Sequence, residues 1–132
     1  MTRFEMKVSA VMKPLLALVG ARAGKRYVAV DGDRVEIRMG WTKLEVAVGD
    51  IASVQETRWP LIYGLGPGRL APKKTLGVVS SSRGTVRIAL RQAIPFKVPF
   101  SLERENLVVA LDDPKAFIAA VEEARGEQRQ TV

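Results

Sequence analysis

The sequence predicts a mainly β protein, an antiparallel and strongly bent sheet or partly open barrel of about seven strands, capped by one C-terminal helix. Three observations support this fold class. Apolar and polar residues alternate in several short runs, which is the period of a half-buried strand. An Asp31-Gly32-Asp33 segment lies between two such runs and has the composition of a hairpin turn. Near the end, Asp113 followed by Pro114 has the signature of a helix start.

The alternating runs define the expected strands and their inward face. A β-rich run at 27–30 precedes the turn, and the clearest alternation, at 34–39, follows it. Further strands are predicted at residues 4–8, 44–48, 51–57, 75–80, 86–90 and 107–111. Pro14 ends the first run, and the residues up to Gly20 are consistent with either a short helix or another strand. The residues expected inside the sheet are Val35, Ile37, Met39, Leu44, Val46, Val86, Ile88, Leu107 and Val109.

Two segments interrupt this pattern. Residues 58–74 contain three glycines and three prolines, which predicts a loop over all 17 residues. A loop of this length in a compact domain is more often functional than not. The stretch 94–100 contains Pro95 and Pro99, so we expect it to lie outside the middle of the sheet.

The C-terminal helix is predicted over residues 114–125. Gly126 is expected to end it, and the polar tail 127–132 is expected to fray. Apolar residues recur on one helix face, at Phe117, Ile118, Val121 and Ala124. We expect a single domain over residues 1–132, with its core at 27–126 and an N-terminal extension strand within 1–26.

The order of short strands followed by one amphipathic helix resembles the pleckstrin-homology-like (PH-like) barrel, in particular uncharacterised bacterial versions of that fold. The resemblance covers about residues 27–126. It rests on five segments of the sequence, 30–37, 48–54, 61–66, 84–90 and 111–117. It implies a non-enzymatic binding module. Members that bind phosphoinositide headgroups carry basic residues around the first hairpin, whereas the Asp31-Gly32-Asp33 turn would repel a phosphate.

The composition excludes several classes of function. The chain contains no cysteine and no histidine, which removes disulfides, thiolate metal sites and the usual general base of nucleophilic catalysis. We therefore expect no enzymatic activity, no metal and no cofactor. The apolar run 15–21 is too short to span a bilayer, and a secretory leader is the less favoured interpretation of residues 13–23. We expect a cytoplasmic protein, with peripheral membrane association as an option.

Positive charge is concentrated in one block of the chain. The net charge is +7, yet residues 57–102 contain eight basic residues and no carboxylate. Such segregation favours an anionic partner, either an acidic protein or an anionic membrane surface. Self-association is a further option, because open sheet edges can dock on one another.

The candidate site residues come from this block. Those expected to contact a protein partner or a membrane are Arg58, Trp59, Leu61, Ile62, Tyr63, Arg69, Lys73, Lys74, Phe96, Lys97 and Phe100. Those expected to form a basic face are Arg83, Arg87 and Arg91.

Several alternatives remain open for these residues. The loop can fold back so that Trp59 is buried and closes one end of the barrel. The arginines can form a merely solvated face, or bind nucleic acid with Trp59 or Tyr63 stacking on a base. A carrier of a small apolar ligand is the third class, although the bulky interior residues would fill a small barrel themselves.

Overall fold

The structure is a computed structural model of the chain. It describes residues 2–7, 26–40, 42–60, 63, 65–71, 74–79, 81, 83–97 and 101–130, with the backbone alone at 66–68, 97, 101, 102 and 127–130. The strands in these residues are β1 (Thr2–Glu5), β2 (Arg26–Val30), β3 (Arg34–Met39), β4 (Thr42–Ala47), β5 (Ile51–Glu56), β6 (Gly66–Ala71), β7 (Thr75–Val79), β8 (Thr85–Lys97) and β9 (Ser101–Ala110). A 3-10 turn, Val48–Asp50, separates β4 from β5, and α1 (Pro114–Gln130) follows β9.

The described strands form two sheets and not one closed barrel. Sheet 1 has the order β1-β2-β3-β4 and is antiparallel throughout. Sheet 2 has the order β5-β8-β9-β7-β6, and β7 and β9 run parallel. The mainly β fold class with a C-terminal helix is confirmed, but the expectation of purely antiparallel pairing is wrong for this pair. The physical reason is that β9 returns from β8 and inserts beside β7, where it runs in the same direction as β7.

Sheet 1 is built on the predicted hairpin. β2 and β3 pair from Val30 opposite Val35, and the turn between them closes with a bond from the Asp31 amide to the Arg34 carbonyl, at 3.1 Å. The carboxylate of Asp31 also accepts from the amide of Asp33, at 2.8 Å. Because an Asp side chain that caps its own turn fixes the register of the strands, this segment places the inward residues of both strands on one face.

Sheet 1 is connected to sheet 2 at both of its edges, through the residues that follow β4 and through those that follow β1. β4 continues through the 3-10 turn into β5. Beyond β1, Met6 forms a β-bridge with Leu111, and the Lys7 amide donates to the Ala110 carbonyl at 3.0 Å. The N-terminal strand covers residues 2–5, whereas the alternation predicted it at 4–8, and residues 8–25 lie outside the described residues.

The main core lies between the sheets and is closed by the helix. All nine residues expected inside are buried in one cluster, together with Val28, Leu76 and Val78. Phe117, Val121 and Ala124 of α1 belong to the same cluster, so the helix covers this core as predicted.

The helix begins as predicted and ends later. A carboxylate oxygen of Asp113 accepts from the Ala116 amide at 3.1 Å, and Pro114 is the first helical residue. The helix then continues through Gly126 to Gln130, so the expected stop at Gly126 and the frayed tail are wrong for residues 126–130. Glycine ends a helix when it adopts a positive φ, and Gly126 does not.

Two further expectations concern the proline-containing segments, and one of them is wrong. The segment 58–74 is not a loop throughout, because β6 lies within it and pairs with β7. Residues 94–97 form the last part of β8, with Pro95 opposite Glu103 on β9. The pairing of β5 with β8 stops at Leu90, so this part of β8 has β9 as its one described neighbour and lies outside the middle of the sheet, as expected.

No helix in the described residues has the length and apolar character needed to cross a membrane.

Candidate anion-binding face of the second sheet

The face of sheet 2 that points away from the main core carries the basic residues. Gln55, Arg87, Val108, Gly77 and Arg69 are successive partners across the five strands and therefore share one face, called here the outer face. The next row on this face is Ser53, Ala89, Asn106, Thr75 and Ala71. Neither row contains a carboxylate.

Trp59 covers the middle of the outer face. The residue is only 3% exposed and packs against Val79, Val108 and Ala110 in a second apolar cluster. Tyr63 packs edge-on to its ring, with centroids 5.4 Å apart. The interpretation in which the loop folds back is therefore the one observed, but Trp59 lies over the outer face and not at the end of a barrel. Its ring is not available to insert into a membrane or to stack on a base.

Gly77 makes this covering possible. A Cβ atom built on Gly77 would lie 2.7 Å from Cζ2 of Trp59, closer than real side chains approach. The indole ring therefore rests directly on the backbone of β7. A glycine inside a strand commonly marks such a close approach.

Hydrogen bonds hold both ends of the Trp59 segment. The Thr57 amide donates to the Thr85 carbonyl at 3.0 Å, and the Thr85 hydroxyl donates to the Thr57 carbonyl at 2.6 Å. At the other end, Nε of Arg69 donates to the Tyr63 carbonyl at 3.0 Å. Arg69 therefore contributes to holding the loop, a structural role that its basic character did not predict.

Most of the described cations around this sheet are exposed and form no salt bridge with a described residue. Arg58, Arg83 and Arg91 are exposed, Arg87 is partly exposed, and we call these four arginines the cationic surface. Within the described residues, none of the four forms a salt bridge. The four arginines of the cationic surface therefore carry positive charge without a salt-bridge partner among the described residues.

Sheet 1 provides the opposite arrangement. Nζ of Lys43 lies 3.2 Å from a carboxylate oxygen of Glu36 and 3.4 Å from one of Glu45, and these hydrogen bonds raise the pKa of Lys43. Arg34 lies 3.4 Å from Glu45. The amides of Asp33 and Arg34 lower the pKa of Asp31 by hydrogen bonding to its carboxylate.

Two arginines have a buried nitrogen that lacks a hydrogen-bond acceptor among the described residues. These are Nε of Arg87 on the outer face and Nε of Arg104, which lies opposite Ile94 on β9. A buried N–H without an acceptor costs free energy, so such a group is unusual in a folded chain. Arg104 has Glu103 and Glu105 beside it in the sequence, whereas Arg87 lies in the acid-free block.

The other candidate residues are distributed as follows. Phe96 is buried in the main core, and Tyr63 is half-buried, so neither presents a free aromatic ring. Lys74 is exposed in the β6–β7 turn at a positive φ of 52°. Leu61, Ile62, Lys73, Phe100 and the side chain of Lys97 lie outside the described residues.

Sequence reasoning missed other residues around this face. Gln55 lies opposite Arg87 on β5, and Gly77 leaves the space that the Trp59 ring occupies. Among the described residues, Leu70 on β6 is the large apolar residue whose side chain is exposed, with an exposed fraction of 52%. The isolated glycine in the apolar run 76–79 was a signal for close approach, but nothing in the sequence identified Trp59 as the approaching group.

Other kinds of site find less support. In the described residues, no group of three or more acidic side chains is placed to hold a metal ion. An open groove of about 250 Å³ lies between α1 and the first hairpin. Its rim carries Asp31 and Glu123, so an anion would be repelled there.

No protein-family model matches the chain, and comparisons with curated proteins and with solved structures found no match.

Proposed function

We propose that this chain is a non-enzymatic interaction module that binds an acidic protein partner through the cationic surface of sheet 2. One observation carries the proposal: the arginines of this surface form no salt bridge with a described residue, whereas Arg34 and Lys43 of sheet 1 do. Folding alone does not require four unpaired arginines near one face. The fold that we propose for this module is PH-like, as the sequence resemblance implies.

The expected affinity from charge alone is modest. Exposed ion pairs contribute about 0.2–1 kcal/mol each, so four pairs give at most about 4 kcal/mol, or a Kd on the order of 1 mM. A specific partner therefore needs additional contacts. The exposed side chain of Leu70 and the edge of β6, which has no second neighbour among the described strands, are suited to such contacts with a protein.

The aromatic residues favour a protein over the other anionic partners. Peripheral membrane proteins need apolar insertion in addition to charge, and single-strand binding proteins need exposed rings for stacking. Trp59 and Phe96 are buried and Tyr63 packs on Trp59, so the described aromatic residues supply neither. An acidic protein surface requires only the arginines and the exposed apolar contact.

The test compares two double variants with equal charge. Binding of fluorescently labelled poly-L-glutamate is measured by anisotropy at low and high salt for the wild type, for Arg83→Ala/Arg91→Ala and for Arg34→Ala/Lys43→Ala. Removing two unpaired arginines is expected to weaken binding by several-fold to about thirtyfold. Removing two paired cations of sheet 1 is expected to change the affinity for poly-L-glutamate by less than about threefold, although the net charge falls by the same amount in both double variants.

Three results would count against the proposal. Equal weakening by both double variants would mean that only net charge matters. Absence of salt-sensitive binding to poly-L-glutamate would remove the acidic partner. Tighter binding to anionic lipid vesicles or to single-stranded oligo-dT than to poly-L-glutamate would replace it with a membrane or a nucleic acid.

A further inference from the structure

We infer that Arg87 is the anchor of this surface and that it binds a single carboxylate group of the partner, with Gln55 as a neighbouring donor. The inference rests on the proposed function, since it names one residue and one chemical group within the same interface. It goes beyond charge attraction, because it assigns a defined hydrogen-bonding point to one of the four arginines.

The position of Arg87 is fixed by its surroundings. Val86 and Ile88, its neighbours along β8, are fully buried, so the backbone at Arg87 cannot shift easily. On the outer face, Val108 lies directly across from it and packs against Trp59. Nε is buried, so the side chain is packed as far as this atom. A guanidinium group held in place loses less conformational entropy on binding than a mobile surface arginine.

The remaining nitrogens of Arg87 are available to a ligand. The residue is partly exposed, and Nε is its one nitrogen that is both buried and without an acceptor. The two terminal nitrogens are therefore the atoms that solvent reaches. Gln55, opposite Arg87 on β5, is exposed and adds a side-chain amide donor at the same point. A carboxylate placed there would receive hydrogen bonds from a partly desolvated group, where such bonds are stronger.

The surroundings favour a carboxylate over a phosphate. The nearest residues of the outer face along β8 are Thr85 and Ala89, and the cross-strand partners of Arg87 are Gln55 and Val108, so none of its described strand neighbours on that face is a cation. Arg91 is four residues further along β8, about 13 Å at the rise of an extended strand, and Arg83 lies in the turn before β8. A phosphate dianion is usually held by several cations or amides together, whereas one planar guanidinium matches one carboxylate.

The experiment separates geometry from charge. Binding of poly-L-glutamate is measured for Arg87→Lys and Arg87→Ala, with Arg91→Lys and Arg91→Ala as matched controls on the same strand. Both Arg87 variants are expected to weaken binding about tenfold or more, since lysine keeps the charge but not the planar donor pair. Arg91→Lys is expected to leave binding unchanged, and Arg91→Ala to weaken it by less than about threefold. Circular dichroism and thermal unfolding confirm that each variant is folded.

A measurement on the wild type does not depend on the folding of any variant. In nitrogen–proton NMR spectra, the Nε–H resonance of Arg87 is expected to shift on titration with poly-L-glutamate, and more than that of Arg91. Wild-type affinity in Arg87→Lys, or an unshifted Arg87 resonance at saturation, would overturn the anchor while leaving the proposed function standing. Stronger binding of inorganic phosphate than of acetate at Arg87 would replace the carboxylate. Failure of the wild type to bind poly-L-glutamate would overturn both proposals.

Discussion

The face of sheet 1 that points away from the main core carries both acidic and basic residues, whereas the two described rows on the outer face of sheet 2 carry arginines as their only charged residues. In sheet 1, one row places Arg3 beside Ala29, Glu36 and Glu45. Glu36 and Glu45 are directly opposite each other, and Lys43 bridges both. Like charges opposite each other destabilise a sheet, so Lys43 offsets a repulsion that the register creates.

The two faces also differ in how they use aromatic residues. In sheet 1, the guanidinium carbon of Arg3 lies 4.3 Å from the centre of the Tyr27 ring, so a cation of that sheet has a partner even without a carboxylate. In sheet 2, Trp59 builds an apolar cluster with Val79 and Val108, beside Arg87. The same alternating pattern thus produces one face whose charges are used within the fold and one whose charges remain available.

The largest expected effect concerns the apolar cluster that exists only on sheet 2. Trp59→Ala is expected to lower the free energy of unfolding by about 3–5 kcal/mol, because it leaves a cavity over Gly77 and exposes Val79 and Val108. Chemical denaturation measures the change. Leu70→Ala is the control, since its side chain is already half-exposed and its loss should be nearly neutral. Equal effects of the two substitutions would show that Trp59 is not packed.

A smaller effect is expected beneath the same ring. Gly77→Ala would place a methyl group against Trp59 and is expected to cost about 1–3 kcal/mol through overpacking. Gly49→Ala is the matched control, because a Cβ atom there has nothing within 4 Å. Thermal unfolding of both variants checks the contrast. An unchanged melting temperature for Gly77→Ala would mean that the indole ring does not lie on β7.

The next prediction compares the charges of the two sheets directly. Lys43→Ala is expected to lower stability slightly, since it leaves Glu36 facing Glu45, whereas Arg91→Ala is expected to leave stability unchanged or raise it. The raised pKa of Lys43 means that its contribution is complete below its ordinary value of 10.5 and is lost as the pH rises through the native pKa. Thermal melts in low and high salt measure both effects. Salt should reduce the difference between wild type and Lys43→Ala.

The smallest expected effect is at the first hairpin turn of sheet 1. The backbone amides lower the pKa of Asp31, so its charge stabilises the fold above the ordinary value of 3.8, and this contribution is lost as the pH falls through the native pKa. Asp31→Asn keeps an oxygen acceptor for the turn but removes the titration. The stability advantage of wild type over Asp31→Asn should therefore shrink below about pH 4 in thermal melts. A constant difference from about pH 2 to 6 would contradict the lowered pKa.

The parts of the fold that followed from the sequence are those set by neighbouring residues. The hairpin at Asp31, the inward face of β3 and the start of α1 at Asp113 all depend on contacts within four residues. Alternation and capping are local, so the sequence carries them directly. The strand β6 was missed for the opposite reason. Its glycines and proline have low strand propensity, and pairing with β7 overrides that propensity.

Taken alone, the sequence determined that residues 57–102 hold eight cations and no carboxylate, and that none of them can pair within the block. Only the tertiary structure decided which of them stay unpaired. The register of sheet 2 places Gln55 and Val108 beside Arg87, while the carboxylates of Glu36 and Glu45 lie on sheet 1, beside Lys43. Burial of Trp59 was decided in the same way, since its contacts come from β7 and β9, about 20–50 residues further along the chain. Contacts of that separation depend on how strands assemble, and local patterns do not encode them.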